Sequence, residues 1–370
     1  MIDLDLEASK LHLTTGPIWA AVNLDYPYHS FSHIGMFYQG SNAHMANLDL
    51  VNSASHILKH TGIPVILRDD VWEPYPWLTK LQDDENTRRY ERRFGNLIAE
   101  IKQQALGIAT GPEAPYGKYR IDAITLVGVP AEGPHGFHAL GRATESLLRS
   151  INNLLERFHQ SFFLYLMTSV ESFVSVGNYL AAPILIGASM TIKGLLLWSS
   201  VQERHLGTPI MIIALSFLVG GIMLEGFSRV KASHDDYLVL GATMTVSQLT
   251  IPALMSTVFR GSNRQAQVTL DSFNLILAGL VISALSTLNF GFAVVTSLLL
   301  TLVLLVPVPP FLLSSLNPWS LWTTWRLVDS KAANEWLQPI LKEWHIVGSH
   351  NVVYVHLLII PIILTQGVML

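Results

Sequence analysis

Histidine and aspartate are the residue types whose spacing comes nearest to a metal site in this sequence. His29, His33 and His44 lie close together in the chain with Asp25 and Asp49. Imidazole and carboxylate groups are ordinary zinc ligands. Their spacing matches no zinc-binding motif such as His-Glu-x-x-His. We therefore predict loop and surface histidines here, and no metal site.

Covalent catalysis has no recognisable centre in this sequence. The chain contains no cysteine, which excludes thiol nucleophiles, disulfides and zinc–thiolate sites. Residues 40–49, GSNAHMANLD, lack the Gly-x-Ser-x-Gly pattern of a serine nucleophile elbow. A Gly-rich phosphate-binding loop is also absent from the sequence. The residues therefore predict no catalytic group and no cofactor.

The elements that would position a functional site are of two kinds, polar and apolar, as charge and hydropathy show. The chain has 370 residues, of which 50% are hydrophobic and 14% charged, against roughly 25% charged in soluble proteins. The charged residues are concentrated before residue 177. The net charge of −4 offers no basic field for nucleic acid. The composition predicts a polar first half and a membrane-embedded second half.

The second half, 177–370, contains several apolar stretches of membrane-spanning length. A bilayer core of about 30 Å requires about 20 apolar residues in a helix. We predict six spans and a seventh, interrupted by tryptophans, that is either a short span or an interfacial helix. Asn289–Gly291 and the Pro307–Pro310 cluster break the longest apolar run. The predicted spans are 179–198, 209–227, 237–259, 272–288, 291–306, 310–327 (the interrupted one) and 352–369.

The first half is predicted to form an α/β domain followed by two helices. Within 1–138, strand-like runs rich in β-branched and aromatic residues alternate with helical segments at 47–60 and 86–107. Residues 139–158 repeat leucine and isoleucine at helical spacing, which predicts an amphipathic helix. Residues 160–176 are aromatic on one side and polar on the other. We predict an interfacial helix there, so 139–176 forms a region of its own.

The junction between the halves resembles a known family. INNLLERFHQSFFLYL (151–166) and SFVSVGNYLAAPILI (172–186) resemble the corresponding junction of the Gaa-type GPI anchor attachment family, the large subunit of glycosylphosphatidylinositol (GPI) transamidase. ANLDLVNS (46–53), YRIDAITLVGV (119–129) and LNFGF (288–292) resemble further motifs of that family in the same order. The resemblance covers nearly the whole chain.

This resemblance implies both a fold and a function. It implies an endoplasmic reticulum membrane protein whose lumenal domain is similar to part of a zinc aminopeptidase, generally without a working metal site. It also implies a non-catalytic subunit that binds the GPI lipid and presents it for attachment to substrate proteins carrying C-terminal GPI signals. The partners would be the other transamidase subunits, including the cysteine-protease subunit. The family further has an N-terminal anchor and an earlier half-domain, so we expect a truncated or reduced relative.

Two other functional classes stay open at this point. One is a membrane metallopeptidase or amide-forming enzyme, which stoichiometric zinc in the purified protein would favour. The other is a transporter, which requires ionisable groups near mid-membrane. Lys193, Glu225 and Asp271 lie toward the ends of predicted spans. Such positions favour charges that reach toward the membrane surface, so the transporter is the weaker reading.

The lipid site is predicted at the junction where the family resemblance is densest. His159 can donate to a phosphate or accept from an amine, because its ordinary pKa is about 6.5. Gln160 and Ser161 add neutral hydrogen-bonding groups, while Phe162 and Tyr165 can lie against acyl chains or sugars. Asn289 completes the predicted lipid-binding set. The family topology, with a slight arginine excess in the 199–208 and 260–268 loops, predicts that 1–176 is lumenal.

Overall fold

The computed structural model describes residues 18–40, 42–68, 85–154, 165–202, 205–229, 264–305 and 328–369, with scattered residues between 241 and 257 and at 322, 325 and 326. The chain divides into two compact units. The α/β unit comprises Met1–Gly40, Met45–Asp70 and Thr110–Phe163. The helical unit comprises Ser41–His44, Val71–Ala109 and Leu164–Leu370.

The strands are β1 (Ala20–Asp25), β2 (Ser30–Phe37), β3 (Val65–Leu67), β4 (Asp122–Pro130), β5 (His135–Gly136), β6 (Tyr165–Ser169) and β7 (Ser172–Ser175). The helices are α1 (Leu48–His60), α2 (Glu85–Leu106), α3 (Ala114–Gly117), α4 (Phe137–Asn152), α5 (Val176–Tyr179), α6 (Ala181–Ser200), α7 (Gly207–Ser228), α8 (Arg264–Leu288), α9 (Phe290–Leu305), α10 (Ser330–Lys342), α11 (Asn351–Tyr354) and α12 (Ile360–Met369). A π-helical turn, Val355–Ile359, joins α11 to α12, and another, Glu343–Val347, follows α10.

The α/β unit is built on a mixed sheet. Its main strand order is β1-β4-β2-β3, and β5 pairs with β2. The β1–β4 and β2–β3 pairs are parallel, whereas β2 runs antiparallel to β4. The predicted alternation of strands and helices before residue 138 is confirmed, because β-branched and aromatic runs form the sheet and the 47–60 segment forms α1.

The core of the α/β unit lies where the two amphipathic helices meet each other and the sheet. Helix α1 buries Leu50, Ala54 and Leu58, which recur at helical spacing. It packs against α4, which buries Leu140 and Leu147. The strands contribute the buried side chains of Phe31, Ile34, Met36, Ile124 and Leu126. The alternation of buried and exposed positions therefore fixes which face of each element points inward.

The helical unit contains four helices long and apolar enough to cross a membrane. They are Ala181–Ser200, Gly207–Ser228, Arg264–Leu288 and Asn351–Val368. Helix α9 is apolar but has only 16 residues. These helices coincide with the predicted spans at 179–198, 209–227, 272–288, 291–306 and 352–369. The predicted spans at 237–259 and 310–327 lie largely outside the described residues.

Two of the candidate spans, α6 and α8, approach each other closely because glycines line their contact. A Cβ atom added to Gly187 of α6 would lie 2.8 Å from the backbone oxygen of Gly279 in α8. Ser272 of α8 donates a hydrogen bond of 2.7 Å to the backbone oxygen of Gly194. Without side chains at these positions the backbones can reach distances at which hydroxyl–carbonyl bonds form between helices.

The predicted interfacial helix over 160–176 is wrong for residues 165–175. Strands β6 and β7 form an antiparallel hairpin there, with Tyr165 opposite Ser175. Asn96 of α2 donates a hydrogen bond of 2.9 Å to the backbone oxygen of Thr168 in β6. Backbone polar groups of the hairpin are satisfied by cross-strand hydrogen bonds and by Asn96. Local helical periodicity does not reveal either contact.

Candidate functional site

The structure places two of the predicted lipid-binding residues, Tyr165 and Asn289. His159, Gln160, Ser161 and Phe162 lie outside the described residues. Tyr165 begins β6 with its side chain 3% exposed, and its ring meets that of Phe173 edge to face. Asn289 lies between α8 and α9 and is 2% exposed. Both placed side chains are therefore enclosed by protein.

Asn289 forms the N-cap of α9. Its side-chain Oδ1 accepts a hydrogen bond of 3.0 Å from the backbone N–H of Phe292, three residues further on. This satisfies one of the N–H groups that a helix start leaves without an intrahelical partner. The break predicted at Asn289–Gly291 is confirmed, since α8 ends at Leu288 and α9 begins at Phe290.

The Asn289 amide group also connects two distant segments. Its Nδ2 donates to the backbone oxygen of Gln104 at 3.0 Å and to the side-chain Oδ1 of Asn351 at 3.1 Å. Asn351 Nδ2 in turn donates to the backbone oxygens of Gln104 and Ala105, both at 3.0 Å. The side-chain Oε1 of Gln104 accepts from the N–H of Gly291 at 3.0 Å. We call Gln104, Asn289 and Asn351 the amide junction.

Glycines allow the segments of the amide junction to come this close. A Cβ atom on Gly291 would lie 2.5 Å from the backbone oxygen of Ile101 and 2.6 Å from Gln104 Cβ. Gly107 has a φ of +69°, and a Cβ there would lie 2.6 Å from Ser349 Oγ. The left-handed backbone at Gly107 is favourable for glycine and strained for other residues.

The amide junction holds chain segments in position. Its members are neutral amides that hydrogen-bond one another and the backbone, so they offer neither a general acid nor a nucleophile. They join the C-terminal end of α2, the start of α9 and the start of α11. Sequence reasoning found Asn289 through the break in the apolar run but missed Gln104 and Asn351. Asn351 had a usable signal, because it directly precedes an apolar run.

The histidines considered as metal ligands do not form a group. Among the described residues, no three His, Cys, Asp or Glu side chains are placed to hold a metal ion. His33 Nδ1 lies 2.7 Å from the hydroxyl of its neighbour Ser32. The ring of His29 packs on that of Tyr28, with centroids 4.0 Å apart. These histidines therefore have local contacts of their own.

Glu113 is a buried carboxyl group in the described part of the α/β unit. It is 2% exposed. Burial raises its pKa above the ordinary value of 4.5, and hydrogen bonds from Thr110 and Thr125 act in the opposite direction. Thr125 Oγ1 donates to Glu113 Oε2 at 2.7 Å and accepts from Asn23 Nδ2 at 3.3 Å. The hydroxyl of Tyr116 donates to Asn23 Oδ1 at 3.2 Å.

The hydroxyl of Thr110 lies between the Glu113 carboxyl and the backbone of Gln39. Its single proton faces two acceptors, the backbone oxygen of Gln39 at 2.9 Å and Glu113 Oε1 at 2.5 Å. A protonated Glu113 carboxyl could instead donate to Thr110, which would then donate to Gln39. Burial raises the pKa of the Glu113 carboxyl, whereas the hydrogen bonds that it accepts favour its ionised form.

A hydrogen bond joins two of the motifs that carried the family resemblance. Asn47 is the N-cap of α1, and its side chain accepts from the N–H of Asp49 at 2.9 Å. The backbone N–H of Asn47 donates to the carboxylate of Asp122 at 3.0 Å, at the start of β4. The ANLDLVNS and YRIDAITLVGV segments therefore hold each other in place within the α/β unit.

Comparison with known proteins gives one family match along nearly the whole chain. Residues 3–366 match the model of the family described as Gaa1-like, GPI transamidase component. The GPI transamidase component GAA1 of Saccharomyces cerevisiae is 29% identical over 306 residues, covering 77% of this chain and 45% of the relative. The GPI transamidase component gaa1 of Schizosaccharomyces pombe is 28% identical over 298 residues, covering 79% of this chain and 48% of the relative. The chain therefore spans about half the length of these curated relatives.

Proposed function

The chain belongs to the Gaa1-like family of GPI transamidase components, and we propose that it acts as a non-catalytic subunit of a GPI transamidase complex in the endoplasmic reticulum membrane. The observation that carries this proposal is the continuous family match over residues 3–366, which includes both the α/β unit and the apolar helices. The chain has no cysteine and so cannot supply a thiol nucleophile. The cysteine-protease subunit would supply the nucleophile.

In this proposal the chain binds the GPI lipid and presents it to substrate proteins that carry C-terminal GPI signals. The HQSFF segment, 159–163, combines an imidazole, an amide and a hydroxyl with aromatic rings. Such a set suits a lipid that has phosphates, an amine and sugars at head-group depth. We assign lipid contact to His159, Gln160, Ser161 and Phe162. Tyr165, which is 3% exposed and packs on Phe173, would support this segment from within β6.

Asn289 takes a different role in this proposal. Its donors and its acceptor are used by Gln104, Asn351 and Phe292. We infer that Asn289 supports the lipid site indirectly, by fixing the helix ends at the amide junction. This replaces direct lipid contact by Asn289 as the working hypothesis.

The proposed architecture follows the family resemblance. Residues 1–138 would be part of a zinc-aminopeptidase-like lumenal domain, 139–176 a connecting region, and 177–370 a bundle of six to seven spans. The mixed sheet with packed helices is compatible with part of such a domain. The four helices of membrane-spanning length would account for four of the six to seven proposed spans.

The subunit role is tested in cells depleted of their own Gaa1-type subunit. The full chain, carrying an affinity tag, is isolated in mild detergent, and attachment of GPI to a reporter protein is measured. We expect co-purification of the cysteine-protease subunit and recovery of reporter attachment. A chain that recovers neither is not such a subunit, and stoichiometric zinc in that preparation would favour a metallopeptidase instead.

The head-group role is tested by His159→Ala in the same cells. Loss of the imidazole should reduce reporter attachment several-fold while leaving co-purification of the other subunits intact, because the residue would act on the lipid. His56→Ala, which changes an exposed residue of α1, serves as the matched control. Unchanged attachment, or loss of complex assembly, would show that His159 is structural or dispensable.

A further inference from the structure

Helix α2 exposes apolar side chains that no other part of its unit covers in the described structure. Tyr90 is 70% exposed, Phe94 44% and Ile98 38%. They are spaced four residues apart, so they form one stripe along the helix. The rings of Tyr90 and Phe94 are nearly parallel, with an interplanar angle of 10° and centroids 6.4 Å apart. We call these three residues the α2 stripe.

The inward positions of the same helix are polar or small. Its buried residues are Glu91, Gly95, Glu100 and Gln104. A surface helix of a soluble protein normally buries its apolar stripe and exposes its charges. Helix α2 instead exposes the α2 stripe and buries polar or small residues. In the described structure, the side chains of the stripe are therefore available to an outside partner. Apolar side chains gathered in one exposed stripe indicate an interaction surface.

Arginines flank the α2 stripe. Arg88, Arg89, Arg92 and Arg93 are all exposed on α2. At 100° per residue, Arg92 lies nearly opposite Phe94, and Arg93 lies to one side. Arg89 pairs with Glu85 at 3.3 Å. Both side chains are more than half exposed, so this ion pair is weak. An apolar stripe with a basic opposite face is typical of a helix lying in a membrane interface.

The location of α2 favours a bilayer as the occupant. Its C-terminal end is fastened by Gln104 to Asn289, the residue directly after the candidate span Arg264–Leu288. The end of a span marks the boundary of the hydrocarbon layer. Helix α2 therefore starts from membrane-surface depth at one end and carries an uncovered apolar stripe toward the other.

We propose that α2 lies in the head-group layer of the bilayer. Tyr90, Phe94 and Ile98 would point toward the acyl chains, and Arg88, Arg89 and Arg93 would contact phosphates of anionic phospholipids. The occupant is the bulk bilayer lipid, so the proposal does not depend on the GPI lipid or on a transamidase complex. Arginine suits this role because its guanidinium group forms paired hydrogen bonds with phosphate oxygens. The interaction would anchor α2 and, through the amide junction, the start of α9.

The test uses the cysteine-free sequence, since a single introduced cysteine can be labelled without a background. Phe94→Cys in the full chain is labelled with an environment-sensitive fluorophore, and Arg92→Cys on the opposite face is the matched control. Both proteins are reconstituted into vesicles of phosphatidylcholine with phosphatidylserine. We expect the label at 94 to emit at shorter wavelength and to be quenched by spin-labelled lipid, while the label at 92 is quenched by iodide.

The contribution of the arginines is measured in the same system. Arg88→Gln, Arg89→Gln and Arg93→Gln are combined with the labelled Phe94→Cys protein. Each arginine near an anionic surface strengthens association about five-fold, so lipid quenching at 94 should fall in the phosphatidylserine vesicles. It should change little in vesicles of phosphatidylcholine alone.

Three outcomes would overturn the proposal. Iodide quenching at 94 equal to that at 92 would place the stripe in water. Protection of the 94 label from both iodide and spin-labelled lipid would show that protein covers the stripe. Equal effects of the arginine substitutions in both vesicle compositions would remove the role of anionic lipid.

Discussion

The side chain of Asn289 holds three chain segments together. It caps α9, donates to the end of α2 and contacts the start of α11. In an apolar surrounding, each of these groups would otherwise lose a hydrogen bond without gaining water. The side chain is therefore expected to matter for stability more than a surface cap would.

Asn289→Ala should destabilise the full chain by about 2 kcal/mol or more, because it removes a cap and leaves buried partners unsatisfied. Asn289→Ser should cost less, since a serine hydroxyl can still cap α9. Thermal unfolding in detergent measures both variants. If Asn289→Ala lowers GPI attachment without changing thermal stability, direct lipid contact is the better explanation.

Glu113 predicts a pH dependence of the α/β unit. Its folded-state pKa is raised above 4.5. At pH values between the ordinary pKa of 4.5 and the raised pKa of the folded state, the folded protein keeps a proton that the unfolded chain releases. The free energy of unfolding should therefore fall as pH rises through this window, by about 1.4 kcal/mol per pH unit. Below pH 4.5 this group contributes no pH dependence.

Glu113→Gln should remove this dependence, because an amide can donate to Thr110 and accept from Thr125 without titrating. Hydrogen exchange of the β4 amides in the full chain, compared between parent and variant at each pH, measures the difference. We expect protection to match at low pH and to favour the variant as pH rises. Parallel pH profiles for the two proteins would show that Glu113 stays ionised in the folded state.

At the scale of elements, the α6–α8 contact is the clearest case of packing dictated by sequence. Gly187, Ser189, Gly279 and Ser283 are small residues that predict close helix approach, and the structure places Gly187 against Gly279. A Cβ atom on Gly279 would collide with Thr191 Oγ1 and with the backbone oxygen of Gly187. The backbone oxygen cannot move aside, so the helices would have to separate.

Gly279→Ala should therefore lower the thermal stability of the full chain in detergent, by about 1–3 kcal/mol in free energy of unfolding. Gly221→Ala in α7 is the matched control, because nothing lies within 4 Å of the added Cβ. The control should be neutral or slightly stabilising, since alanine favours a helix over glycine. Equal losses in both variants would mean that the glycines matter for helix flexibility and not for this contact.

Elements were predictable from sequence where one local pattern decided them. Strands β1 to β4, helix α1 and the four long apolar helices follow alternation, helical spacing or length. The β6–β7 hairpin did not, because its apolar residues fit a helix equally well and its decisive contact comes from Asn96. Helix α10 has a local signal, Asp329, whose side chain accepts from two backbone N–H groups. Pro339 within that helix obscures the pattern.

The candidate site was predictable only in part, for a reason of sequence distance. Asn289 interrupts a long apolar run and is visible locally. Gln104 lies 185 residues away in the chain and Asn351 62 residues away. Neither partner has a spacing that a motif could reveal. A buried polar junction is specified by which distant groups satisfy one another, and the linear sequence does not show that pairing.

At the scale of the whole molecule, helix α6 is the candidate span that follows the polar first half of the chain. It is apolar over 20 residues, long enough for a bilayer core of about 30 Å. If α6 crosses the bilayer, the residues directly before it and the loop directly after it lie in different compartments. The proposed family topology places the preceding α/β unit in the lumen and the 199–208 loop in the cytosol. The 199–208 and 260–268 loops together hold three Lys and Arg residues, against two in the 228–236 loop, and this small bias agrees in sign.

Single cysteines in the cysteine-free chain test this arrangement in intact microsomes. Glu132→Cys lies in the exposed turn between β4 and β5, and His205→Cys lies in the loop between α6 and α7. A membrane-impermeant maleimide should label position 205 at once and position 132 only after detergent opens the vesicles, because the reagent cannot cross the bilayer. The reverse pattern would place the α/β unit in the cytosol, where it could not meet a GPI lipid in the lumen. Labelling of both positions before detergent would mean that α6 does not cross the membrane, which would remove the topological basis of the proposed lumenal role.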